Sequence, residues 1–246
     1  MTDAAGKFAR ISSTPAYQLV ADAIERQILS GRIRPGQPIG TEAALVKQFG
    51  VNRSTVREGI RLLEQGGLIH RESNRRLSAG SPHYERLATR MSRALVLNQV
   101  TFRELYEAAM VMHTATAEAA AERATPQVLE ELEANLAMTQ RVADDPAAVT
   151  ELDAQFHTLI GKASQNRVLQ LAREPINLLI YPTTELILRK VREGTPRLIA
   201  AHRMILDALH RRDKDACHAW VRRHLNDWRK GFELAGKDLD QPIEPI

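Results

Sequence analysis

The amino-acid sequence predicts a mostly α-helical protein in which three helices and a hairpin precede an all-helical bundle. The first observation is that proline recurs directly behind a capping residue, as at an N-cap followed by the first helical position, where the missing N–H costs nothing. The second is that only residues 68–79 look extended, because LIHRE and RLSAG flank a polar SNR tip. The capped prolines are Thr14-Pro15, Ser81-Pro82, Thr125-Pro126, Asp145-Pro146 and Thr195-Pro196.

The helices follow this punctuation in order along the chain. Thr101 with Glu104 has the pattern of a capping box, and Asp213 can cap the last helix. Pro175 and Pro182 should kink or split the longest helix, because proline removes a backbone hydrogen bond. The predicted ranges are 15–30, 41–49, 53–65, 82–98, 101–123, 126–143, 146–164, 167–193, 196–211 and 214–235.

Length and composition suit a soluble protein of two domains. The chain has 246 residues, of which 43% are hydrophobic and 26% charged. No apolar run approaches the roughly 20 residues that cross a bilayer, and the N-terminus MTDAAGKFAR lacks the apolar core of a signal peptide. The single cysteine, Cys217, excludes an internal disulfide and favours a cytoplasmic setting. We expect a first domain at residues 1–80, an all-α domain at 81–237 and a flexible tail at 238–246.

Positive charge is concentrated in the first domain. Residues 1–80 hold 12 Lys and Arg against 7 Asp and Glu, whereas the rest of the chain holds 22 against 23. The formal net charge of +4 therefore arises from the first third of the chain. Such an excess suggests an anionic partner, although ordinary solvated surface gives the same signal.

A helix-turn-helix is predicted around the stretch GVNRSTVRE. Gly50 ends one helix, the next two residues make the turn, and Arg53 opens a helix whose first residues can meet base edges. Val56, Ile60 and Leu63 form an apolar stripe that should face a small core.

Arginines gather away from that stripe and on the hairpin. Arginine suits phosphate contact and bidentate hydrogen bonding to guanine in the major groove. A surface helix with scattered charges would explain Arg57 alone equally well, but the adjoining basic hairpin favours nucleic-acid binding. The helix carries Ser54, Arg57 and Arg61 on its polar side, and the hairpin carries Arg71, Arg75 and Arg76.

The first domain resembles the winged-helix DNA-binding domain of GntR-type bacterial transcription regulators. The resemblance rests on Ile24-x3-Ile28-x2-Gly31, the Pro35-Gly36 loop, the glutamate of TEAALV, and VNRSTVRE followed by LEQGGLI. It implies a winged helix-turn-helix with the hairpin as a wing near the minor groove. The operator contacts that it implies are Arg53, Ser54, Thr55 and Arg57, with Arg75 and Arg76 on the wing.

Two departures from the GntR pattern affect DNA recognition. Ala43 stands where members often carry an arginine after the glutamate, and the wing tip Ser73-Asn74-Arg75-Arg76 lacks the usual glycines. Operator sequence and wing geometry are therefore not carried over from relatives.

Four polar residues of the second domain lie on helix faces that should be buried. Asp153 and His157 are four residues apart in ELDAQFHTLI, and His202 and His224 each fall in an apolar stripe of a later helix. Burying each without a partner costs about 1–3 kcal/mol, which a shared divalent cation would remove. Three nitrogens and one oxygen suit zinc, nickel, cobalt or manganese. Taken singly, each histidine can equally be a hydrogen-bonded core residue, so these residues alone leave a metal site open.

Residues 101–230 resemble the all-helical FCD effector domain of the FadR-type branch of GntR regulators. The matching text is FRELYE, AAERAT, ELDAQFH, AHRMILDALHRRD and RRHL. Metal-binding members use an aspartate and three histidines in this order. The resemblance therefore implies that Asp153, His157, His202 and His224 hold a divalent metal ion, with zinc as the first candidate, and that the metal and nearby side chains hold a small organic acid.

The effector site departs from the usual FCD pattern. Relatives often carry an arginine in the first helix that binds the effector's carboxylate, but LYEAAMVMH places Ala109 there and His113 where an acid is common. A polar line on the proline-containing helix faces either a cavity beside the metal or solvent. The candidate effector residues are His113, Arg173, Asn177 and Tyr181, with Thr184 on the same line.

The predicted function is a DNA-binding transcription regulator, a repressor rather than an enzyme. Because one winged helix reads one half-site, we expect a homodimer on a palindromic operator of double-stranded DNA. The alternative is a metal-sensing regulator in which the cation is the signal. A metallohydrolase is disfavoured, since four ligands nearly fill a tetrahedron and no HExxH or second carboxylate offers a general base.

Overall fold

The computed structural model describes residues 14–72, 76–80 and 84–243, with the backbone alone for residues 84–86. Among these residues no helix combines the length and apolar character needed to cross a membrane. The predicted wing-tip residue Arg75 and the Ser81-Pro82 helix start lie outside the described ranges.

The chain forms two compact units, Met1–His83 and Tyr84–Ile246. The described part of the first unit contains three helices and a three-stranded antiparallel sheet in the order β1-β3-β2. Its elements are α1 (Ala16–Leu29), β1 (Pro38–Gly40), α2 (Glu42–Phe49), α3 (Arg53–Gly66), β2 (Ile69–Arg71) and β3 (Leu77–Ala79).

The predicted helix-turn-helix is confirmed, and its core is built as the apolar stripe requires. Val56, Ile60 and Leu63 of α3 are buried, packed with residues of α1 and of the sheet. Gly59 permits the close approach of α3 to α1, because a Cβ at this position would lie 2.8 Å from the carbonyl oxygen of Tyr17. The stripe therefore fixes which side of α3 is left for solvent.

Two local predictions for the first unit are wrong. Sequence reasoning assigned strands only to residues 68–79, but β1 adds a third strand at the edge of the sheet. The strand was missed because it has only three residues, including Pro38 and Gly40, and so shows no alternation of apolar and polar side chains. An edge strand tolerates proline, because the N–H groups on its outer side form no hydrogen bonds to another strand. Thr14 also does not cap α1: the N-cap position is Pro15, and no side chain bonds there.

The described part of the second unit contains seven helices, which follow the predicted ranges closely. They are α4 (Tyr84–Leu97), α5 (Phe102–Arg123), α6 (Pro126–Arg141), α7 (Pro146–Ala163), α8 (Arg167–Lys190), α9 (Gly194–His210) and α10 (Lys214–Leu234).

Most of the predicted caps of the second unit are confirmed. Thr101 and Glu104 form the capping box, and Thr125, Asp145 and Asp213 accept hydrogen bonds from the first backbone N–H groups of α6, α7 and α10. The prediction for Thr195 is wrong, because α9 already begins at Gly194, behind Glu193 at the N-cap.

The longest helix runs without a break through two prolines. We expected Pro175 and Pro182 to kink or split it, but α8 is one helix from Arg167 to Lys190. The Ser92 hydroxyl donates to the Pro175 carbonyl at 3.1 Å, which ties α4 to α8 at this point. Tertiary packing of this kind can hold a helix together where its own ladder is interrupted.

The predicted flexible tail is wrong for residues 238–243, which pack on the start of α5. Leu239 and Ile243 are buried in the core of the second unit. The Arg103 N–H donates to the Leu239 carbonyl, and the Ile243 N–H donates to the Val100 carbonyl, both at 2.9 Å. The last three residues lie outside the described part of the chain.

Cys217 is buried in the same core. Burial raises the pKa of its thiol to about 12, and the nearby charge of Asp213 adds to this shift. The thiol is therefore protonated at neutral pH, in keeping with a packing residue.

Candidate metal centre and nucleic-acid interface

The fold brings the four predicted metal ligands to one place. Asp153 and His157 lie one turn apart on α7, His202 lies in the middle of α9, and His224 lies on α10. All four are buried, and one potential ligand atom of each lies within 4.8 Å of the others. Three separate helices thus converge on a single centre.

The distances between the donor atoms suit one shared ion. The Nε2 atoms of His157 and His224 lie 3.0 Å apart. Asp153 Oδ1 lies 3.2 Å from His202 Nε2, 3.6 Å from His157 Nε2 and 3.8 Å from His224 Nε2. Two ligands that each lie about 2.0–2.1 Å from a tetrahedral zinc ion are about 3.3 Å apart.

Unpartnered buried atoms provide a second test of the fit. Asp153 Oδ1 and both ring nitrogens of His202 are buried without a hydrogen-bond partner. Leaving such atoms unpaired costs about 1–3 kcal/mol each, and coordination to a cation would remove that cost at Asp153 Oδ1 and at one nitrogen of His202. The His202 ring stacks on Phe156 with centroids 3.8 Å apart, so its orientation is fixed by packing. The residues present therefore fit a divalent cation.

Burial keeps two of these imidazoles in the form that binds metals. It lowers the pKa of His157 well below its usual value and the pKa of His224 to about 4. Both rings are neutral at pH 7, and a neutral imidazole is the ligand form.

Three of the four candidate effector residues line up beside the centre with unused hydrogen-bonding groups. His113 Nε2 donates to Asn177 Oδ1 at 2.9 Å, and the rings of His113 and Tyr181 lie 5.3 and 5.5 Å from the ring of His157. His113 Nδ1, Asn177 Nδ2 and the Tyr181 hydroxyl are buried without partners. Burial, together with the charge of Arg173, lowers the pKa of His113 to about 3, so its free Nδ1 is a lone-pair acceptor.

Arg173, the fourth candidate, is a buried charge. Its side chain lies between α7 and α8, donates to the His157 carbonyl and fills the space beside Gly161, where a Cβ would come within 3.1 Å of the guanidinium carbon. No acidic side chain of the described residues pairs with it. The sequence left open whether the polar line of α8 faces the interior or solvent. It faces the interior, since Arg173, Asn177 and Thr184 are all buried.

The start of α3 presents the predicted DNA contacts. Gly50 adopts the left-handed conformation that ends α2. Asn52 Oδ1 caps α3 by accepting from the Thr55 N–H and the Ser54 hydroxyl, both at 2.8 Å. Arg53, Ser54, Arg57 and Arg76 are exposed and Thr55 is half-buried, whereas Arg75 lies outside the described residues.

Glu42 links α3 to the wing, a role that sequence reasoning missed. Its carboxylate lies 3.4 Å from the Arg57 guanidinium and 2.9 Å from that of Arg71, which also contacts Glu64 at 3.2 Å. Burial opposes ionisation, but the hydrogen bond from Arg71 and the charge of Arg57 lower the pKa of Glu42. Asn52 was also missed, although an asparagine directly before the first helical residue is a recognised capping signal.

The fold and the two sites define a class of protein: a regulator that reads DNA with a winged helix-turn-helix and carries a helical effector domain. The family model described as "Bacterial regulatory proteins, gntR family" matches residues 16–77, and the model of the FCD domain matches residues 104–227. The chain belongs to the GntR family of bacterial transcription regulators and carries an FCD domain. As predicted, it is a DNA-binding regulator and not an enzyme.

Individual relatives agree with this assignment. The chain is 27% identical over 216 residues to the HTH-type transcriptional regulator YdhC of Bacillus subtilis, covering 87% of this chain and 89% of that protein. It is 22% identical over 230 residues to the HTH-type transcriptional repressor NanR of Salmonella schwarzengrund, covering 89% and 85%. The solved structure of Streptococcus agalactiae GntR shares the fold, with a TM-score of 0.64 at 23% identity, over 87% of this chain and 99% of that one.

Proposed function

We propose that the protein is a cytoplasmic repressor whose FCD domain binds a divalent metal ion and a small organic acid that changes its affinity for the operator. The observation that carries this proposal is the convergence of Asp153, His157, His202 and His224 on one buried centre. A relative named as a repressor, NanR, supports the direction of regulation.

In this proposal the four convergent residues hold zinc, or else nickel, cobalt or manganese. When bound, the ion would supply a Lewis-acidic contact for a carboxylate oxygen of the effector, provided that it accepts one ligand beyond the four protein donors. Phe156 keeps the His202 ring in place by stacking, and the His157 backbone carbonyl accepts from Arg173, which fixes the backbone of α7 at that ligand before any effector arrives.

Arg173 supports an anionic effector. A guanidinium that is 1% exposed and lacks an acidic partner among the described residues is costly unless an anion completes the site. Ala109, on α5, is fully buried and offers no such charge. We infer that α8 supplies through Arg173 the positive charge that relatives supply from the helix corresponding to α5.

The unused hydrogen-bonding groups narrow the effector to a hydroxy acid. Because His113 Nε2 donates to Asn177, the free Nδ1 needs a donor from the ligand. Asn177 Nδ2 needs an acceptor, and the Tyr181 hydroxyl can serve either way. A carboxylate with an adjacent hydroxyl group offers both kinds of partner.

Replacing Tyr181 by phenylalanine is expected to weaken effector binding about three- to tenfold, the worth of one hydrogen bond. The fold and metal content should not change, because the hydroxyl has no partner in the protein. Calorimetric titration of the zinc-loaded protein with organic acids would measure the change. Tyr106→Phe is the matched control, since its hydroxyl already bonds Asn226 at 2.8 Å. Equal affinity for the acid in the parent protein and Tyr181→Phe would remove this residue from the effector site.

The proposed function itself is tested by gel shift of the full-length protein on the DNA upstream of its own gene. We expect retardation at moderate salt, and a change in affinity when an acid that stabilises the zinc-loaded protein is added. Such a change requires that the acid bind the DNA-competent and the DNA-free states with different affinities. Failure to retard the upstream fragment would count against an operator at this place.

A metal-sensing regulator is the second candidate. The completeness of the four-donor set favours it, because a tetrahedral ion would be saturated by the protein alone. If chelation releases the DNA reversibly while no acid has any effect, the cation is the signal and the effector proposal fails.

We further propose a homodimer that forms through an apolar face of α4 and α8. Paired half-sites require two-fold symmetry, and a second copy is therefore the expected occupant of such a face. Its side chains are unusually apolar for a solvent-facing surface. They are Leu97 and Leu178, which are 83% and 37% exposed, together with Val96, Leu179 and Pro182 around the same groove.

The substitution Leu178→Glu is expected to yield a monomer, because it would bury a charge in the groove of this face. Operator affinity should fall by about a hundredfold once the two DNA-binding domains are no longer linked in one dimer. Sedimentation velocity gives the oligomeric state. Val111→Glu, which changes an exposed apolar residue of α5, should leave the dimer intact. A dimeric Leu178→Glu variant would place the interface elsewhere.

A further inference from the structure

A small chamber adjoins the metal centre at Thr184, about one turn along α8 from Tyr181. It lies between α8, α9 and α10 and has a volume of about 60 Å³. Asp153 and His224 form part of its wall, while His113, Arg173, Asn177 and Tyr181 do not line it. The chamber is thus distinct from the four groups proposed to recognise the effector's head, although both adjoin the same centre and Thr184 belongs to its wall.

The chamber is lined mainly by apolar side chains. Where it approaches solvent it meets the exposed Arg197 and the half-buried Asp227. A space of this size has room for about four water-sized groups, and water gains little from walls that offer few hydrogen bonds. The apolar lining consists of Ile187, Leu188, Val191, Leu198, Trp228 and Leu234.

We propose that this chamber receives a short aliphatic substituent of the effector, so that the effector is a hydroxy acid with an unbranched or singly branched tail of about four non-hydrogen atoms at most. The inference rests on the proposed function, because it takes for granted an acid bound at the metal centre. A head group held beside Asp153 and His224 can direct its tail between these apolar side chains without crossing the polar quartet. Each methylene group that enters should strengthen binding about fourfold, the effect of removing it from water.

The test is calorimetric titration of the full-length, zinc-loaded protein with straight-chain 2-hydroxy acids from glycolate to 2-hydroxyheptanoate. We expect affinity to rise with each methylene group until the chamber is full and then to fall. Leu198→Ala should move the maximum to a longer acid, and Leu198→Phe should move it to a shorter one. Leu206→Ala is the matched control, since Leu206 lies on the same helix with similar burial (6% against 7%) but not at the chamber.

The possible results separate this inference from the proposed function. A maximum that shifts in opposite directions in the two Leu198 variants, and not in Leu206→Ala, supports the chamber. Acids that all bind with the same affinity would overturn the chamber but leave the hydroxy-acid effector standing. Equal shifts in Leu206→Ala and Leu198→Ala would show that the tail lies elsewhere. If no acid of the series binds at all, the hydroxy-acid effector and the chamber fail together.

Discussion

Replacement of His202 by alanine is expected to remove tight zinc binding, and with it the stabilisation that the metal gives to the FCD domain. The free energy of zinc binding at structural sites is about 10–16 kcal/mol. Shared among four ligands, this is about 3 kcal/mol each, so the loss of one ligand should weaken zinc binding about a hundredfold. His202 is fully buried at the centre, so solvent cannot take its place without opening the packing of α9.

In the metal-free protein the same substitution is expected to have a smaller effect on unfolding. Loss of the ring removes a stacking contact with Phe156 and leaves a cavity, which is destabilising. It also removes two buried nitrogens without hydrogen-bond partners, which is stabilising. The two effects oppose each other, so the difference between the metal-loaded and metal-free melting temperatures, rather than either temperature alone, reports on coordination.

The measurements are elemental analysis of zinc and thermal unfolding with and without a chelator. His210→Ala is the matched control, because His210 lies on the same helix but is exposed and contacts Glu133 at 2.8 Å. We expect the chelator to lower the melting temperature of the parent protein and the control, and to leave His202→Ala unchanged. Undiminished zinc in His202→Ala would contradict the assignment of this ligand.

The helices could be predicted from sequence because their starting signals are local. A capping side chain and the residues that it bonds are separated by at most three positions, as at Thr101, Thr125, Asp145 and Asp213. The same locality explains the failure at Thr195: the chain enters α9 two residues earlier than predicted, and no side-chain cap bond is made at its start. Signals read from neighbouring residues therefore locate an element better than they fix its first turn.

Apolar helix faces predicted that each of the four residues is buried and needs a partner, whereas the shared metal centre was implied only by the resemblance to FCD domains. The polar line of α8 left a cavity beside the metal open, and Thr184 of that line does border the chamber, but its apolar wall was not anticipated, because Ile187, Leu198 and Trp228 read as ordinary core residues on three different helices. A cavity depends on how side chains from separate helices pack against one another. The spacing of apolar residues within one helix gives no information on this packing.

Contacts between distant residues account for the remaining errors. Residues 238–243 looked loose because Leu239 and Ile243 are a single apolar pair in a short polar stretch that also contains Pro242, which is too little to predict a packed element, yet both are buried. The pairing of Glu42 with Arg71 joins residues 29 positions apart. Neither feature has a local signal, and each becomes visible only when the fold has brought the partners together.

Substitution of Arg57 by alanine is expected to reduce operator affinity by about ten- to a hundredfold, corresponding to about 1–3 kcal/mol for a lost contact to a base. The Arg57 side chain is 59% exposed, and its distance of 3.4 Å from Glu42 makes for a weak ion pair. Its guanidinium is therefore positioned by Glu42 but free to turn towards a guanine edge.

A matched control for Arg57 lies one turn further along α3. Arg61 is 67% exposed and lies 3.4 Å from Glu58, so its environment in the protein resembles that of Arg57. The first residues of a recognition helix reach base edges, whereas later ones meet the backbone or solvent. We therefore expect Arg61→Ala to weaken operator and random DNA alike, and by less than tenfold if it contacts a single phosphate.

Competition gel shifts at two salt concentrations separate these outcomes. If Arg57 reads a base, Arg57→Ala loses affinity for the operator while its affinity for random DNA and its salt dependence stay close to those of the parent protein. If Arg57 contacts only phosphate, both affinities fall together and the salt dependence becomes shallower. Unchanged operator affinity in Arg57→Ala would mean that the exposed start of α3 does not face DNA. Arg57 makes only an exposed contact within the protein, so a change in folding could not mask the loss of a DNA contact.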